Sequence, residues 1–306
     1  MNNKGCLHVL TGCTATGKTE WALRWAEANQ AEIISCDSLL FYRCMDIGTA
    51  KPTRAELARV PHHLIDLCAV TERMDITDYV AQAQRAVADI TARGRRVLVT
   101  GGSGFYLKAF FAPVADNVAV SPELRAEIDA QYREHGLPAL VAELARLNPA
   151  GLGALDTANP RRVVRVLERC RASGKTLAEL AAEFARTPGP FADWDVALVR
   201  LECEPAELAR RIEARVEAML RAGLIEEVER LLAAGLKQNP SAALAIGYRE
   251  TIDFIEGRLP RTELAGVITQ NTRGLVKKQR TWFRTQLPEH KVVAAGGSLP
   301  AELFAL

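Results

Sequence analysis

Residues 6–29 constrain the fold more than any other stretch. An apolar run (CLHVLT) leads into a glycine loop, GCTATGKTE from Gly12 to Glu20, and Thr19 to Asn29 (TEWALRWAEAN) then carries apolar residues at helical spacing. The order predicts strand, loop and helix. The loop fits G-x-x-x-x-G-K-[ST] at Gly12, Gly17, Lys18 and Thr19. In that pattern the glycines let backbone N–H groups converge on phosphate oxygens, the lysine bridges phosphates and the hydroxyl reaches a magnesium ion. The helix N-terminus adds partial positive charge. All of this serves a diphosphate as well as a triphosphate. An empty glycine turn would not need a lysine followed by a threonine.

Further apolar runs stand at Glu32 to Cys36 (EIISC), His63 to Leu67 (HLIDL) and Arg96 to Thr100 (RVLVT), with an amphipathic helix predicted over Ile76 to Arg93. Strands alternating with helices indicate a parallel sheet. From about Ser121 to Phe184 helix follows helix without a strand, broken at Gly136, at LNPAGLGAL and at ASGK. Val196 to Cys203 (VALVRLEC) is again strand-like, and Ala206 to Ala234 reads as one amphipathic helix or a broken pair. The expected fold is α/β, a P-loop NTPase-like parallel sheet flanked by helices, with an all-helical insertion domain. The expected core is 1–118 and 197–306, its C-terminal part largely helical, and the insertion is 119–196.

Several classes are excluded. Seven cysteines with no C-x-x-C pair, beside five histidines, argue against a disulfide framework and a cysteine-ligated zinc site. The apolar run near the N-terminus is too short for a signal-peptide core and nothing approaches membrane-spanning length, so a cytoplasmic location is expected. There is no N-K-x-D motif, and the strand VLVT runs into GGSG rather than a magnesium-binding carboxylate. A regulatory GTPase is unsupported and a motor-type ATPase is not favoured.

Asp37 follows the second predicted strand, at the carboxyl edge where open α/β sheets bind ligands. A carboxylate there can accept a proton or help hold magnesium; alternatively it caps the next turn through Ser38. Charge is concentrated elsewhere. Asn159 to Lys175 (NPRRVVRVLERCRASGK) and Thr272 to Arg284 (TRGLVKKQRTWFR) each carry +5, against +2 for the whole chain, which leaves −8 for the remainder. Helical spacing puts Arg161, Arg165 and Arg169 on one face, and Arg273, Lys277, Arg280 and Arg284 on another. Such stripes suit a phosphate backbone, although solvated faces of amphipathic helices look the same.

The stretches GCTATGKT, DSLLFYRCMDIGTAKPT, PHHLID, GGSGFYLKA, NPRRVVRVLE, RIEARVEAMLRAGLIEEV, AIGYRE and TRGLVKKQRTWFR occur in an order that resembles the bacterial tRNA dimethylallyltransferases over nearly the whole chain. DIGTAKP and KKQRTWFR are the specific ones. The resemblance implies transfer of a dimethylallyl group from dimethylallyl diphosphate to the exocyclic amine of the adenosine immediately 3′ of the anticodon. It implies that Gly12, Thr14, Ala15, Thr16, Gly17, Lys18 and Thr19 hold the diphosphate, with Thr19 placing Mg2+ and with Arg215, or Arg211 as second choice, approaching from the helix after the insertion.

Asp37 would take a hydrogen bond or proton from the adenine amine. Ser38, Leu39, Leu40, Ser103 and Arg125 would line the nucleotide channel. Further tRNA contacts are implied at Arg161, Arg162, Val163, Val164 and Arg165, at Gly247, Tyr248 and Arg249, and at Lys277, Lys278, Gln279, Arg280, Trp282 and Arg284; for Tyr248 and Trp282 core packing is the alternative. Cys13 and Thr16 depart from the usual proline and serine, at positions that contribute mainly backbone. A monomer acting on the anticodon stem-loop, with no membrane partner, is expected. The competing readings are a small-molecule kinase of the shikimate or nucleoside type and a non-catalytic RNA-binding protein.

Overall fold

The computed structural model describes residues 5–116, 118–297, 303 and 304; the outer limits expected for the core, residues 1 and 306, lie outside these. Among the described residues six strands form one parallel sheet: β1 (Cys6–Gly12), β2 (Ala31–Ser35), β3 (His62–His63), β4 (Arg96–Gly101), β5 (Asp195–Glu202) and β6 (Lys291–Ala294), in the order β3-β2-β4-β1-β5-β6. The central strands are apolar on both faces, as a sheet covered on both sides requires: Leu7, Val9, Leu10, Ile33, Ile34 and Val97 to Val99 are at most 1 % exposed. Because Thr11 pairs with Gly101 and Ser35 with Thr100, the strands end level. Their carboxyl ends therefore bring the glycine loop, Asp37 and GGSG to one edge.

The helices are α1 (Lys18–Asn29), α2 (Arg54–Arg59), α3 (Ile76–Ala92), α4 (Gly104–Lys108), α5 (Pro122–Leu147), α6 (Pro160–Ser173), α7 (Leu177–Arg186), α8 (Pro205–Arg221), α9 (Leu224–Ala233), α10 (Pro240–Ala243), α11 (Tyr248–Ile255) and α12 (Arg261–Gln286). The chain divides into two compact units, one of residues 1–114 and 189–306 and the other Ala115–Pro188. In the first, Leu208, Ile212, Val216 and Met219 form the buried stripe of α8, and α9 continues it with Leu224, Val228 and Leu231. The break between the two helices falls at Gly223, whose φ of +97° suits glycine. The helical unit has its own core, in which Ile128, Leu140 and Leu144 of α5 meet Val163, Leu167 and Cys170 of α6 and Leu180 of α7. Helix α5 bends at Gly136, where φ is +72°.

Two segments differ from expectation in their bounds. The strand expected over His63 to Leu67 stops after His63, because Leu64 and Asp66 adopt left-handed backbone (φ +63° and +56°), which no ladder accommodates. The helical unit runs Ala115–Pro188 rather than 119–196. Phe191 is buried and stacks on Phe110 of the sheet unit at 4.8 Å, and β5 begins at Asp195.

Leu167 is fully buried in the helical unit, so Leu167→Ala should cost about 2–5 kcal/mol in a urea denaturation while leaving affinity for inorganic pyrophosphate, measured by calorimetry, unchanged.

Candidate active site

The glycine loop curls because Ala15 and Gly17 both take positive φ (+66° and +90°), and α1 starts at Lys18 without a side-chain cap. Its first N–H groups are thus left to a ligand. Thr16 is buried and donates its hydroxyl to the Cys13 carbonyl at 2.8 Å, so its role is to hold the loop. Gly12 is buried too, and a Cβ there would lie 2.7 Å from the Leu201 carbonyl oxygen. Cys13 is buried, and burial raises its thiol. The Lys18 ammonium donates to the Cys13 carbonyl at 2.8 Å.

Two cavities open on this edge. The first, about 370 Å³, is lined by Thr14, Ala15, Gly17, Lys18 and Thr19, by Asp37 and Leu40, and by Arg211 and Arg215 from α8. The second, about 580 Å³, is lined by Ser38, Leu39, Ser103, Gly247, Lys278, Gln279 and Trp282, with apolar side chains of α8 opposite. Thr14, Asp37, Thr49 and Arg215 belong to both. Asp37 Oδ1 accepts the Leu39 N–H at 3.1 Å, a turn closed through Leu39 rather than through Ser38 as the alternative reading expects, while Oδ2 has no hydrogen bond among the described residues. The capping role and a role toward a ligand coexist.

Ser103 joins the β2 and β4 loops: its Oγ accepts the Ser38 N–H at 3.1 Å. Gln279 of α12 ties the glycine loop to the β4 loop, accepting from the Thr14 N–H and donating to the Gly102 carbonyl, both at 3.0 Å. Arg215 donates to the Thr49 carbonyl at 3.2 Å, and Arg211 donates to the Thr16 carbonyl at 3.2 Å while paired with Glu207 at 2.8 Å. Burial lowers Lys18 to about 8; the Asp37 carboxylate opposes that shift and the Arg215 guanidinium adds to it. Arg215 is likewise lowered by burial, with Asp37 opposing.

Other expected contacts fall elsewhere. Tyr248 is fully buried with its hydroxyl donated to Glu227, so it is a core residue and offers no face to RNA. Val163 is fully buried in the helical unit. Arg161, Arg162, Arg165 and Arg125 are exposed on that unit and Val164 is half-buried, whereas Arg169 is tied to Asp116 at 2.9 Å. On α12 the expected stripe is broken up: Lys277 and Arg284 are exposed, but Arg273 pairs with Glu213 and Arg280 reaches the Cys203 carbonyl at 3.4 Å. Arg249 pairs with buried Glu250 at 2.5 Å. Trp282 lines the second cavity and lies against Gly104, where a Cβ would meet its ring at 2.5 Å. Thr49 was not foreseen, although DIGTAKP marks its stretch.

A phosphate loop on a parallel sheet, with cationic side chains converging on it and a carboxylate shared by two cavities, defines a P-loop-type group-transfer core. The family described as IPP transferase matches residues 40–286, and the chain belongs to it. A tRNA dimethylallyltransferase of Opitutus terrae is 69 % identical over 96 % of this chain and 94 % of its own, and one of Deinococcus radiodurans is 41 % identical over 91 % and 90 %. Among solved structures, a tRNA isopentenylpyrophosphate transferase of Bacillus halodurans aligns with a TM-score of 0.69 at 31 % identity, covering 95 % of this chain and 90 % of that one. A eukaryotic dimethylallyltransferase acting on tRNA shares the fold at a TM-score of 0.82 and 22 % identity, covering 95 % and 74 %.

The Lys18 shift has a direct consequence. Its ammonium is present below about pH 8 and is lost as pH rises through that value. The affinity of the free protein for inorganic pyrophosphate, divided by that of Lys18→Met to remove the ligand's own titration, should fall about tenfold per pH unit above that point. Calorimetry across the range checks this, and a flat ratio would contradict it.

Proposed function

We propose that the protein transfers the dimethylallyl group of dimethylallyl diphosphate to the exocyclic amine of the adenosine immediately 3′ of the anticodon in tRNA, releasing pyrophosphate. The observation that carries the reading is the shared wall. A cavity built for a diphosphate and a larger, more apolar one meet at Asp37, flanked by Lys18 and Arg215. Two substrates entering from the two sides bring their reacting atoms to one carboxylate.

An adenine amine is a weak nucleophile because its lone pair is delocalised into the ring, and the allylic carbon becomes cation-like as the diphosphate departs. In the reaction the amine nitrogen bonds to the allylic carbon, the carbon–oxygen bond breaks with its electron pair going to pyrophosphate, and the proton passes from nitrogen to Asp37. Lys18, Arg215 and the loop amides are fixed in place before charge develops on the leaving group, where one such donor is typically worth about 3–4 kcal/mol of barrier. The apolar walls of the second cavity exclude water that would compete for the carbon.

Magnesium fits this donor set. Thr19 and Asp37 line the same cavity, Ser35 Oγ and Thr100 Oγ1 on its wall are buried without a partner among the described residues, and no cluster of three acidic, histidine or cysteine side chains is found among them. That is the pattern for an ion held by one or two protein groups, phosphate oxygens and water. Thr19 and Asp37 would hold it, and it would neutralise part of the diphosphate charge.

The target base must leave its stack to reach an enclosed site. Phe105 and Leu244, 47 % and 55 % exposed, stand on the lining of the second cavity beside Lys278 and Trp282, surfaces suited to an unstacked loop. Exposed Arg161, Arg162 and Arg165 offer phosphate contacts from the helical unit. The protein would act as a monomer, and no described helix is long and apolar enough to cross a membrane. A tRNA substrate carries the cytoplasmic location with it.

Incubation with labelled dimethylallyl diphosphate and unmodified tRNA tests the reading. Asp37→Ala should slow single-turnover transfer on the order of a hundredfold or more with diphosphate affinity little changed, whereas Lys18→Ala should lower both. Equal, small losses for the two variants would overturn the assignment, and phosphate transferred from ATP to a small acceptor instead would select a kinase.

A further inference from the structure

Glu227 occupies a place where an amphipathic helix puts apolar side chains. Helix α9 buries Leu224, Val228 and Leu231, and Glu227 lies on the same stripe, 3 % exposed. A carboxylate so placed must be satisfied by hydrogen bonds or an opposite charge. No basic side chain pairs with it among the described residues. Instead Oε2 accepts the N–H groups of Asp46 (3.1 Å) and Ile47 (2.8 Å), and Oε1 accepts the N–H of Gly48 (3.2 Å) and the hydroxyl of Tyr248 (2.7 Å). Three consecutive amides are thus committed to one side chain 179 to 181 residues away.

Those amides belong to the stretch that walls the reaction centre. The next carbonyl, that of Thr49, receives the Arg215 guanidinium, and Thr49 lines both cavities. Tyr248 also packs closely on the stretch, since a Cβ at Gly48 would come within 2.5 Å of its ring. The other end is held separately: the Lys51 ammonium, nearly buried, pairs with Asp46 at 2.7 Å and Asp66 at 2.5 Å. Glu227 itself lines neither cavity.

We infer that Glu227, braced by Tyr248, is a positioning residue that fixes Arg215 against the leaving diphosphate by clamping residues 46–48 and hence the Thr49 carbonyl. The inference rests on the reading of Arg215 proposed above. It deepens that reading by naming what keeps the guanidinium in register.

A double-mutant cycle in the full-length protein tests it. Glu227→Gln keeps the side-chain size but removes an acceptor facing these donors, and Tyr248→Phe removes only the hydroxyl. Thermal melts verify that each variant is folded. Glu227→Gln should slow single-turnover prenyl transfer on the order of a hundredfold, leave the KM for tRNA unchanged, and weaken inorganic pyrophosphate binding as Arg215→Ala does. In an Arg215→Ala background it should then change neither rate nor pyrophosphate affinity further. Losses that multiply, or a slow Glu227→Gln enzyme with intact pyrophosphate affinity, would overturn the inference. Should Glu227→Gln fail to fold, the same cycle run with Tyr248→Phe, where a smaller loss is expected, decides it. If the wild-type protein transfers no prenyl group, the functional reading fails, and the pyrophosphate half of the cycle still decides the clamp.

Discussion

An ammonium and a guanidinium that share one half-buried cavity repel each other and lose hydration, and burial accordingly lowers both Lys18 and Arg215. The field of Asp37 acts on each in the opposite direction and favours its charged form. The carboxylate is therefore electrostatic ballast for the two cations as well as the group proposed to take the proton. Its position follows from backbone alone. Asp37 comes two residues after β2, and the pairing of Ser35 with Thr100 sets it level with the glycine loop and GGSG. The rest of the site is arranged around that edge.

Most of the sheet and its loops were legible in the sequence because their signals are local. A strand running into a phosphate loop, a helix after it and an acid after the next strand need no knowledge of distant residues. The same holds for the break at Gly136 and for a sheet that resumes after the helical stretch. Legibility failed where local pattern and long-range packing disagree. HLIDL has the composition of a strand, yet the nearly buried Lys51, fifteen residues upstream, pairs with Asp66 and the backbone turns there. Tyr248 and Val163 lie in stretches expected to contact tRNA, and only the fold shows that their side chains point into cores.

The basic stripes illustrate the same limit. Helical spacing correctly aligns Arg273, Lys277, Arg280 and Arg284, but spacing is blind to what another helix offers. Glu213 of α8 and the Cys203 carbonyl engage two of the four, leaving Lys277 and Arg284 exposed. Glu227 is the converse case. Its place on the stripe of Leu224, Val228 and Leu231 is readable from the sequence and marks an acid in an apolar position, although the amides that satisfy it lie some 180 residues away.

The Lys18 ammonium spends one of its three N–H donors on the carbonyl of Cys13. That bond ties the side chain to its own loop and leaves two donors for an anion. A lysine so tethered gives up less side-chain freedom on meeting an anion than an untethered one would. Pre-organisation of the cation is thereby written into the geometry of six residues of loop.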